Sequence, residues 1–442
     1  MNAASLTVKP FHQPCWRVAL ADPLLLLGII VGFAPVLAGL AFRTYGFHVS
    51  PNSVEVLRQL DVPFILVELA VIIWARANGL RFRQTVGYFD LPAKFALALF
   101  LSTFWISSAF ISRDAGYSML RASFSLVHIG FGFSVFHLAG APTQKGALRF
   151  GTALVAGFVV FLPLMATHLL SAPDPATIPE GRIIWSSAIP GCLSVRHLGI
   201  WAALVLAGTI GALFVCDEDP RGRSVVCLII LVTTAVLFWS GTRAGAYGVF
   251  GASCFLLAVV RKAPSPRSVS LAVFAAVAGI FLSQFWLPPD TAFGLLRRAD
   301  TLPGSDPEAF ATGRTVLWAS MLQAFMGSPL FGVGEGAVHW FVTLSGDRHV
   351  QPHNAIVQML SSWGVIACTA FGYLLARMLL ALHRAARSDV SVLPFVLLIN
   401  CLLIISLADG ALYFSRFIMW FAAASAVALR LTSSGSTHAR SD

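Results

Sequence analysis

The chain has 442 residues, of which 57% are hydrophobic and only 11% are charged. A soluble protein has about 25% charged residues, so this composition excludes an ordinary globular protein and predicts a polytopic membrane protein. The formal net charge of +10 does not indicate nucleic-acid binding, because most Lys and Arg residues lie in short loops between apolar runs.

Apolar runs of about 20 residues recur along the chain. Because the backbone in lipid must satisfy its own hydrogen bonds, each run predicts a helix, and the protein is expected to be all-α with about twelve transmembrane helices. The predicted spans lie near residues 18–42, 57–75, 93–112, 119–139, 147–170, 198–216, 224–240, 244–260, 268–287, 354–376, 391–408 and 411–429.

The basic residues predict the orientation of these spans. Alternate short loops hold clusters of Lys and Arg, as cytoplasmic loops do. The clusters are Lys9/Arg17, Arg76/Arg81/Arg83/Lys94, Lys145/Arg149, Arg221/Arg223, Arg261/Lys262/Arg267, Arg377/Arg384/Arg387 and Arg430/Arg440. Both termini are therefore expected in the cytoplasm, and the two long polar segments, about 171–197 and 288–352, on the outer side.

Four regions follow from this pattern. Residues 1–287 are predicted to hold nine spans with short loops, and residues 353–430 three more. Between them, the outer loop 288–352 is expected to contain an amphipathic helix along the membrane surface, capped at its start by Thr312. Its apolar stripe would be Val316, Leu317, Met321, Leu322 and Phe325. The polar tail, 431–442, is predicted to be disordered.

The outer loop ends at His353, which is the first candidate for catalysis. A neutral imidazole can accept a proton near physiological pH, which suits a general base. A histidine at this position can equally cap the helix that follows, and the surrounding motif favours catalysis. Other polar loop residues are candidates for binding sugar hydroxyls or are simply solvated. They are Glu335, which follows Gly334, and His339, Asp347, Arg348 and His349.

Three outer arginines are candidates for binding phosphate, because the planar guanidinium offers a fork of donors. Arg243 lies in the tight turn Ser240-Gly-Thr242-Arg243, where two hydroxyls add further donors. Arg196 lies at the outer end of the sixth span, and Arg314 in the first turn of the loop helix. Each also has a structural alternative. Arg243 could anchor the turn at the membrane interface, Arg196 could snorkel to the lipid headgroups, and Arg314 could simply be solvated. Asp409 is interpreted as a structural ion-pair partner of Arg416.

No cofactor or metal site is predicted. Outward carboxylates are few and scattered, and the seven cysteines have no CxxC spacing and are interpreted as small core residues. The Gly332-Val-Gly334 segment is too short and wrongly placed for a dinucleotide fold, so it is interpreted as a turn.

An ordered set of motifs resembles the O-antigen ligase and polymerase superfamily of bacterial envelope glycosyltransferases. The motifs are Ser-x-x-Arg-x-Gly at 240–245, Gly-Arg-x-x-x-Trp at 313–318, Pro-Leu-Phe-Gly-x-Gly at 329–334 and Pro-His-Asn-x-x-x-Gln at 352–358. The His353-Asn354 pair is followed, after nine intervening residues, by Gly364, as in the ligases. Ala367 departs from the ligase pattern, which leaves the polymerase alternative open.

This resemblance implies an all-α membrane enzyme of the GT-C type in the bacterial inner membrane, with a periplasmic active site. The implied donor is a glycan on a polyprenyl (undecaprenyl) diphosphate, and the implied acceptor is lipid A-core or another lipid-linked glycan, in a metal-independent, inverting transfer. Arg196 and Arg243 would bind the diphosphate, and His353 would contact the acceptor. Arg314, Asn354, Ser240, Thr242, Gly334 and Glu335 are the expected substrate-binding residues. A transporter or flippase of a lipid-linked anion is the alternative from another class.

Overall fold

The computed structural model describes residues 22–42, 60–140, 142–177, 183–260, 263–290, 292–300, 314–341, 343–344, 347–348 and 351–438. Within these ranges helices dominate, as expected of an all-α polytopic membrane protein. The described strands, Thr343–Leu344 (β1) and Asp347–Arg348 (β2), form one short antiparallel ribbon in the long loop.

The helices follow the predicted order of spans. They are α1 (Pro23–Ala41), α2 (Val62–Ala77), α3 (Phe82–Gly87), α4 (Leu91–Ile106, extended by a π-turn to Ile111), α5 (Ala115–Leu138), α6 (Gln144–Leu170), α7 (Val195–Val215), α8 (Pro220–Trp239), α9 (Arg243–Val259), α10 (Pro266–Leu282), α11 (Leu295–Asp300), α12 (Arg314–Gly327), α13 (Ala355–Ala386), α14 (Leu393–Ala408) and α15 (Ser415–His438). Several begin with an acidic cap before proline, and Asp22 accepts a hydrogen bond from the Leu24 amide at 3.1 Å.

Eight of the described helices are long and apolar enough to cross a membrane. They are α1, α4 with its π-turn, α5, α6, α7, α8, α13, and α14 with the preceding turn from Val390. Helices also lie at the four other predicted spans, namely α2, α9, α10 and α15. Eight candidate spans do not confirm the predicted count of twelve.

Helices α7 and α14 form the centre of the bundle, because they are the most buried of the eight candidate spans. They pack closely at Gly211, where an added Cβ would lie 2.6 Å from the backbone of Pro394. Small residues at such crossings let apolar helices approach each other in lipid. The middle of both helices is apolar. Arg196 lies in the first turn of α7, and Asp409 lies directly after the last residue of α14.

Two buried ionisable pairs stabilise the packing around this centre. Arg416 of α15 donates from Nε to Asp61 Oδ1, at the start of α2, at 3.1 Å. Glu68 of α2 lies 2.6 Å from Nδ1 of His128 in α5. Charged groups inside a membrane protein are costly unless paired, so each pair restricts how these helices can pack. Neither pair is predicted from the sequence, because the partners are far apart in the chain.

Helix α13 is broken at Gly364, which adopts φ 72° and ψ 176°. The glycine-rich segment after α12 fits into this break and hydrogen-bonds its backbone. Val365 N donates to Pro329 O at 2.9 Å, and Val333 N donates to Ser361 O at 2.8 Å. The Pro-Leu-Phe-Gly-x-Gly motif therefore supplies hydrogen-bond partners to backbone groups that a broken helix leaves open. Its interpretation as a turn is confirmed.

Replacing Gly364 with alanine should lower the free energy of unfolding by more than about 2 kcal/mol. The backbone conformation is open to glycine almost alone, and the added Cβ would lie 2.3 Å from the Leu330 carbonyl oxygen. Gly372→Ala in the same helix is the matched control, because nothing lies within 4 Å of its Cβ position. Equal melting temperatures of the two detergent-solubilised variants would contradict this account.

Two expectations about polar segments are corrected. Helix α15 continues to His438, so most of the tail predicted to be disordered from Leu431 is helical. Leu431 is buried against the core, which explains why the helix extends past it. In the loop helix α12, only Leu317 and Met321 of the predicted stripe are buried, whereas Val316 and Leu322 are exposed. Its proposed cap, Thr312, lies outside the described residues.

Candidate functional site

A polar cavity, open to solvent, lies where the ends of α7, α8, α9, α12 and α14 meet. It is lined by Arg196, Gly241, Thr242, Arg243, Ala244, Tyr247, Arg314, Ala408 and Asp409. We call it the arginine cavity. It brings together the three arginines that the sequence analysis singled out, although they are far apart in the chain.

Arg196 is held at the first turn of α7. Ser194 caps this helix, and its Oγ accepts a hydrogen bond from the Arg196 amide at 3.3 Å. The neighbouring His197 is buried instead, with its ring centroid 4.3 Å from that of Phe414. Of this adjacent pair, Arg196 therefore faces the cavity and His197 belongs to the core.

Arg243 begins α9 directly after the tight turn that was predicted to hold it. The turn is fixed from inside, because Ser240 Oγ lies 2.9 Å from Thr242 Oγ1 and also donates to Leu237 O at 2.8 Å. Both hydroxyls lie against Gly199 of α7, where any Cβ would lie only 2.0 Å from Thr242 Oγ1. Ser240 thus serves to shape the turn, while Thr242 also lines the cavity.

Arg314 reaches the cavity from the long loop. It lies at the start of α12, and its guanidinium donates to Ala408 O at the end of α14 at 2.5 Å. The same helix is docked onto α13 through buried Leu317 and Met321. Trp318 donates from Nε1 to Pro352 O at 2.8 Å, so α12 also fixes the segment immediately before His353.

His353 lies beside this cavity and contacts one of its lining residues. Its Nδ1 is 3.2 Å from Asp409 Oδ1. Its backbone has φ 57°, a left-handed conformation that costs energy for a residue other than glycine and must be held by its surroundings. Asn354 supplies that restraint, since it caps α13 through Val357 N and donates to Leu407 O, both at 3.0 Å. Both polar atoms of the Asn354 side chain thus make hydrogen bonds to the protein backbone.

Positive charge is concentrated at this site, and Asp409 is the acidic residue that lines it. Burial would raise the pKa of Asp409, but the hydrogen bond from His353 and the charges of His353, Arg196 and Arg314 outweigh it and lower that pKa to about 2. Burial lowers the pKa of Arg314, and although Asp409 opposes this, Arg196 and Arg243 add to it. An anion entering the cavity would relieve this mutual repulsion.

The predicted ion pair between Asp409 and Arg416 is wrong. Arg416 pairs with Asp61 instead, while Asp409 accepts from His353. Because Arg416 is close to Asp409 in sequence, it was the obvious candidate. Asp61 and His353 are both remote from their partners in the chain, so no local pattern could have revealed either contact.

One further predicted site residue, Glu335, lies at a second cavity, which is open to solvent. Glu335 lines it with Ala355, Gln358, Met359, Trp363 and Leu412. We call this the Glu335 cavity. Gly334 precedes Glu335 with φ 98°, and its amide donates to Ser362 O at 3.0 Å. His349 lies outside the described residues, as do the side chains of His339, Asp347 and Arg348.

The arrangement is suited to an anionic group beside a proton acceptor. Three guanidiniums can bind phosphate oxygens through charge-assisted hydrogen bonds. If the imidazole proton is on Nδ1, facing Asp409, the Nε2 lone pair is available as a base. Among the described residues, no group of three or more His, Cys, Asp or Glu side chains is arranged to hold a metal ion.

Residues 226–372 match the family model of the O-antigen ligases. This match supports the superfamily resemblance predicted from the motifs, and with it a membrane glycosyltransferase-like ligase or polymerase function. The matched segment includes Arg243, Arg314 and His353, whereas Arg196 and Asp409 lie outside it. No curated protein matches the chain significantly.

Proposed function

From its O-antigen ligase segment, we propose that this protein transfers a glycan from a polyprenyl diphosphate to an acceptor hydroxyl at the periplasmic face of the bacterial inner membrane. The observation that supports this most is the shared cavity of Arg196, Arg243 and Arg314, with the His353–Asp409 pair at its edge. A lipid-borne diphosphate is an anion that must be bound at a membrane surface. The cavity offers a fork of donors for it.

The proposed reaction is a single displacement at C1 of the donor sugar. The acceptor oxygen forms a bond to C1 as the bond from C1 to the diphosphate oxygen breaks, and the polyprenyl diphosphate leaves with the electron pair. Arg196, Arg243 and Arg314 stabilise the charge that develops on the leaving group. His353 Nε2 accepts the acceptor proton, and Asp409 holds the imidazole through Nδ1. Because one displacement occurs, the anomeric configuration is inverted.

The proposed acceptor is the core sugar of lipid A, as in a ligase. The His353-Asn354 pair with Gly364 at ligase spacing supports this choice. The polymerase alternative, in which the acceptor is the end of another lipid-linked glycan, rests on the shared superfamily and on the departure at Ala367. Both use the same donor and the same chemistry.

The transfer can be tested with protein reconstituted into lipid nanodiscs. Lipid A-core and lipid-linked glycan would be extracted from cells that lack this protein and supplied together or singly. We expect a product that needs both fractions, as for a ligase. Growth of the lipid-linked chains without lipid A-core would instead identify a polymerase. Absence of any new glycosidic product in either mixture would contradict the proposed function.

Replacing Asp409 with asparagine should separate catalysis from donor binding. Since the pKa of Asp409 is about 2, the wild-type carboxylate is ionised from pH 5 to pH 8. Loss of this charge should lower kcat at least about tenfold, because the imidazolium formed during transfer loses its counter-ion and one pKa unit of such an interaction corresponds to a factor of about ten. Donor affinity should not weaken, because a negative charge next to the arginines is removed.

The control for this variant is Asp174→Asn, at an exposed aspartate in another loop. Both variants should be compared with the wild type at one fixed pH between 5 and 8, where the wild-type Asp409 carboxylate is ionised. The assignment of Asp409 would be contradicted by a variant with unchanged kcat, or by one that loses only donor affinity.

A further inference from the structure

The Glu335 cavity has the chemistry of a sugar-binding pocket. Glu335 is only 8% exposed, and its Oε2 accepts a hydrogen bond from Trp363 Nε1 at 2.5 Å. Its backbone amide donates to Ser108 Oγ at 3.2 Å, which fixes the carboxylate at the cavity wall. A buried, rigidly held carboxylate is a strong acceptor for hydroxyl groups.

Gln358 is the second polar group of this cavity. It is also 8% exposed, and its side-chain amide makes no hydrogen bond within the part of the chain that the structure describes. Its side-chain amide offers both donors and an acceptor to a ligand. Gln358 lines the cavity beside Glu335, so a ligand there can satisfy both groups.

Trp363 gives the cavity its aromatic wall. Its indole is held by edge-on contacts, with ring centroids 5.4 Å from Phe100 and 5.6 Å from Phe104. Met359 and Leu412 add apolar surface. A sugar ring has hydroxyls around its edge and C–H groups on its faces. A few placed polar groups within a largely apolar, aromatic pocket suit such a ligand.

The Glu335 cavity is next to the proposed base. Ala355, which lines it, is two residues from His353, so their Cα atoms are at most about 7.6 Å apart. Leu412, on the same wall, is three residues from Asp409, which lines the arginine cavity. The His353–Asp409 pair therefore lies close to residues of both cavities, as a base that serves a donor in one and an acceptor in the other would.

We propose that the Glu335 cavity binds the acceptor sugar, with Glu335 and Gln358 hydrogen-bonding its hydroxyls and Trp363 packing against its ring. This proposal rests on the proposed function, because it assigns the second substrate of the same reaction. It separates the two substrates by chemistry. The arginine cavity selects the charged diphosphate, and the Glu335 cavity selects the neutral polyhydroxyl ring.

The test is steady-state kinetics of Glu335→Gln and Gln358→Ala in nanodiscs, with extracted lipid A-core and lipid-linked glycan as the probes. Each variant should raise the KM for the acceptor at least about tenfold, the effect of losing a buried hydrogen bond to a charged or unpaired group. The KM for the donor should change less than twofold. Glu218→Gln, at an exposed glutamate after α7, is the matched control.

Gln358→Ala keeps the test decisive if Glu335→Gln fails to fold, because it removes no hydrogen bond seen among the described residues. An unchanged acceptor KM in a folded variant, or an equal rise in the KM values for acceptor and donor, would overturn the acceptor assignment. The proposed function would still stand in that case, provided that the wild-type protein is active. A wild-type protein without transfer activity would overturn both.

Discussion

Replacing His353 with alanine should reduce kcat for glycan transfer by at least about 100-fold, the usual contribution of a general base. The imidazole is proposed to accept the acceptor proton through Nε2, and alanine has no group that can do so. Binding of the lipid-linked donor should persist, because the arginines remain. The measurement is single-turnover transfer in nanodiscs, together with equilibrium binding of the donor.

His137→Ala is the matched control for this experiment. His137 lies in the last turn of α5 and contacts the Asn78 carbonyl oxygen at 3.1 Å. It lines neither cavity. We expect wild-type transfer in the control and partial recovery of His353→Ala by added imidazole. Unaltered transfer by folded His353→Ala would exclude the imidazole as the base.

Replacing Arg243 with alanine should reduce transfer about 100-fold to 1,000-fold, as expected when a preorganised group that stabilises developing charge is lost. Arg243→Lys should recover only part of this loss. Lysine keeps the charge, but its single ammonium cannot form two parallel hydrogen bonds to a diphosphate. The comparison of kcat for the two variants measures how much of the effect depends on the planar fork.

Arg377→Lys controls for the arginine substitution itself. Arg377 pairs with Asp90 at 2.7 Å on an exposed surface of the bundle, so its replacement should leave transfer unchanged. If Arg243→Lys transfers glycan at the wild-type rate, a point charge suffices and the proposed forked contact is wrong. If Arg243→Ala is also fully active, Arg243 has no part in the reaction.

Composition and hydropathy were enough to predict the helical membrane architecture. A span of hydrocarbon leaves the backbone no alternative to a helix, so a run of apolar residues fixes the local structure. Hydropathy alone did not fix the count of spans, because α9 and α10 have 17 residues each, at the lower limit for a crossing. Whether a short apolar helix crosses depends on its neighbours and tilt, which hydropathy does not contain.

Arginine chemistry predicted part of the candidate site. Arg196, Arg243 and Arg314 were selected because a planar guanidinium on the outer side suits phosphate, and the structure brings all three to one cavity. Their convergence depends on the packing of α7, α9 and α12, which no spacing along the chain encodes. The Glu335 cavity could not be predicted for the same reason, since Glu335 contacts Trp363 through the packing of the loop against α13 near its break at Gly364.

The partner of Asp409 could not be predicted from the sequence. An aspartate close to an arginine in a short loop predicts an ion pair, and that prediction was wrong. Asp409 instead contacts His353, whose backbone is left-handed. Asp61 also has a left-handed backbone, at φ 56°, where it binds Arg416. Both conformations are stabilised by tertiary contacts.

The most direct test of the central claim is equilibrium binding of radiolabelled polyprenyl diphosphate to the protein in nanodiscs. Wild-type protein is expected to bind it in competition with inorganic diphosphate. Alanine at Arg196, Arg243 or Arg314 should each weaken binding about tenfold or more, as for a charge-assisted hydrogen bond, while Arg377→Ala has no effect. Equal affinity in all four variants and the wild type would contradict the claim that these guanidiniums form a diphosphate site.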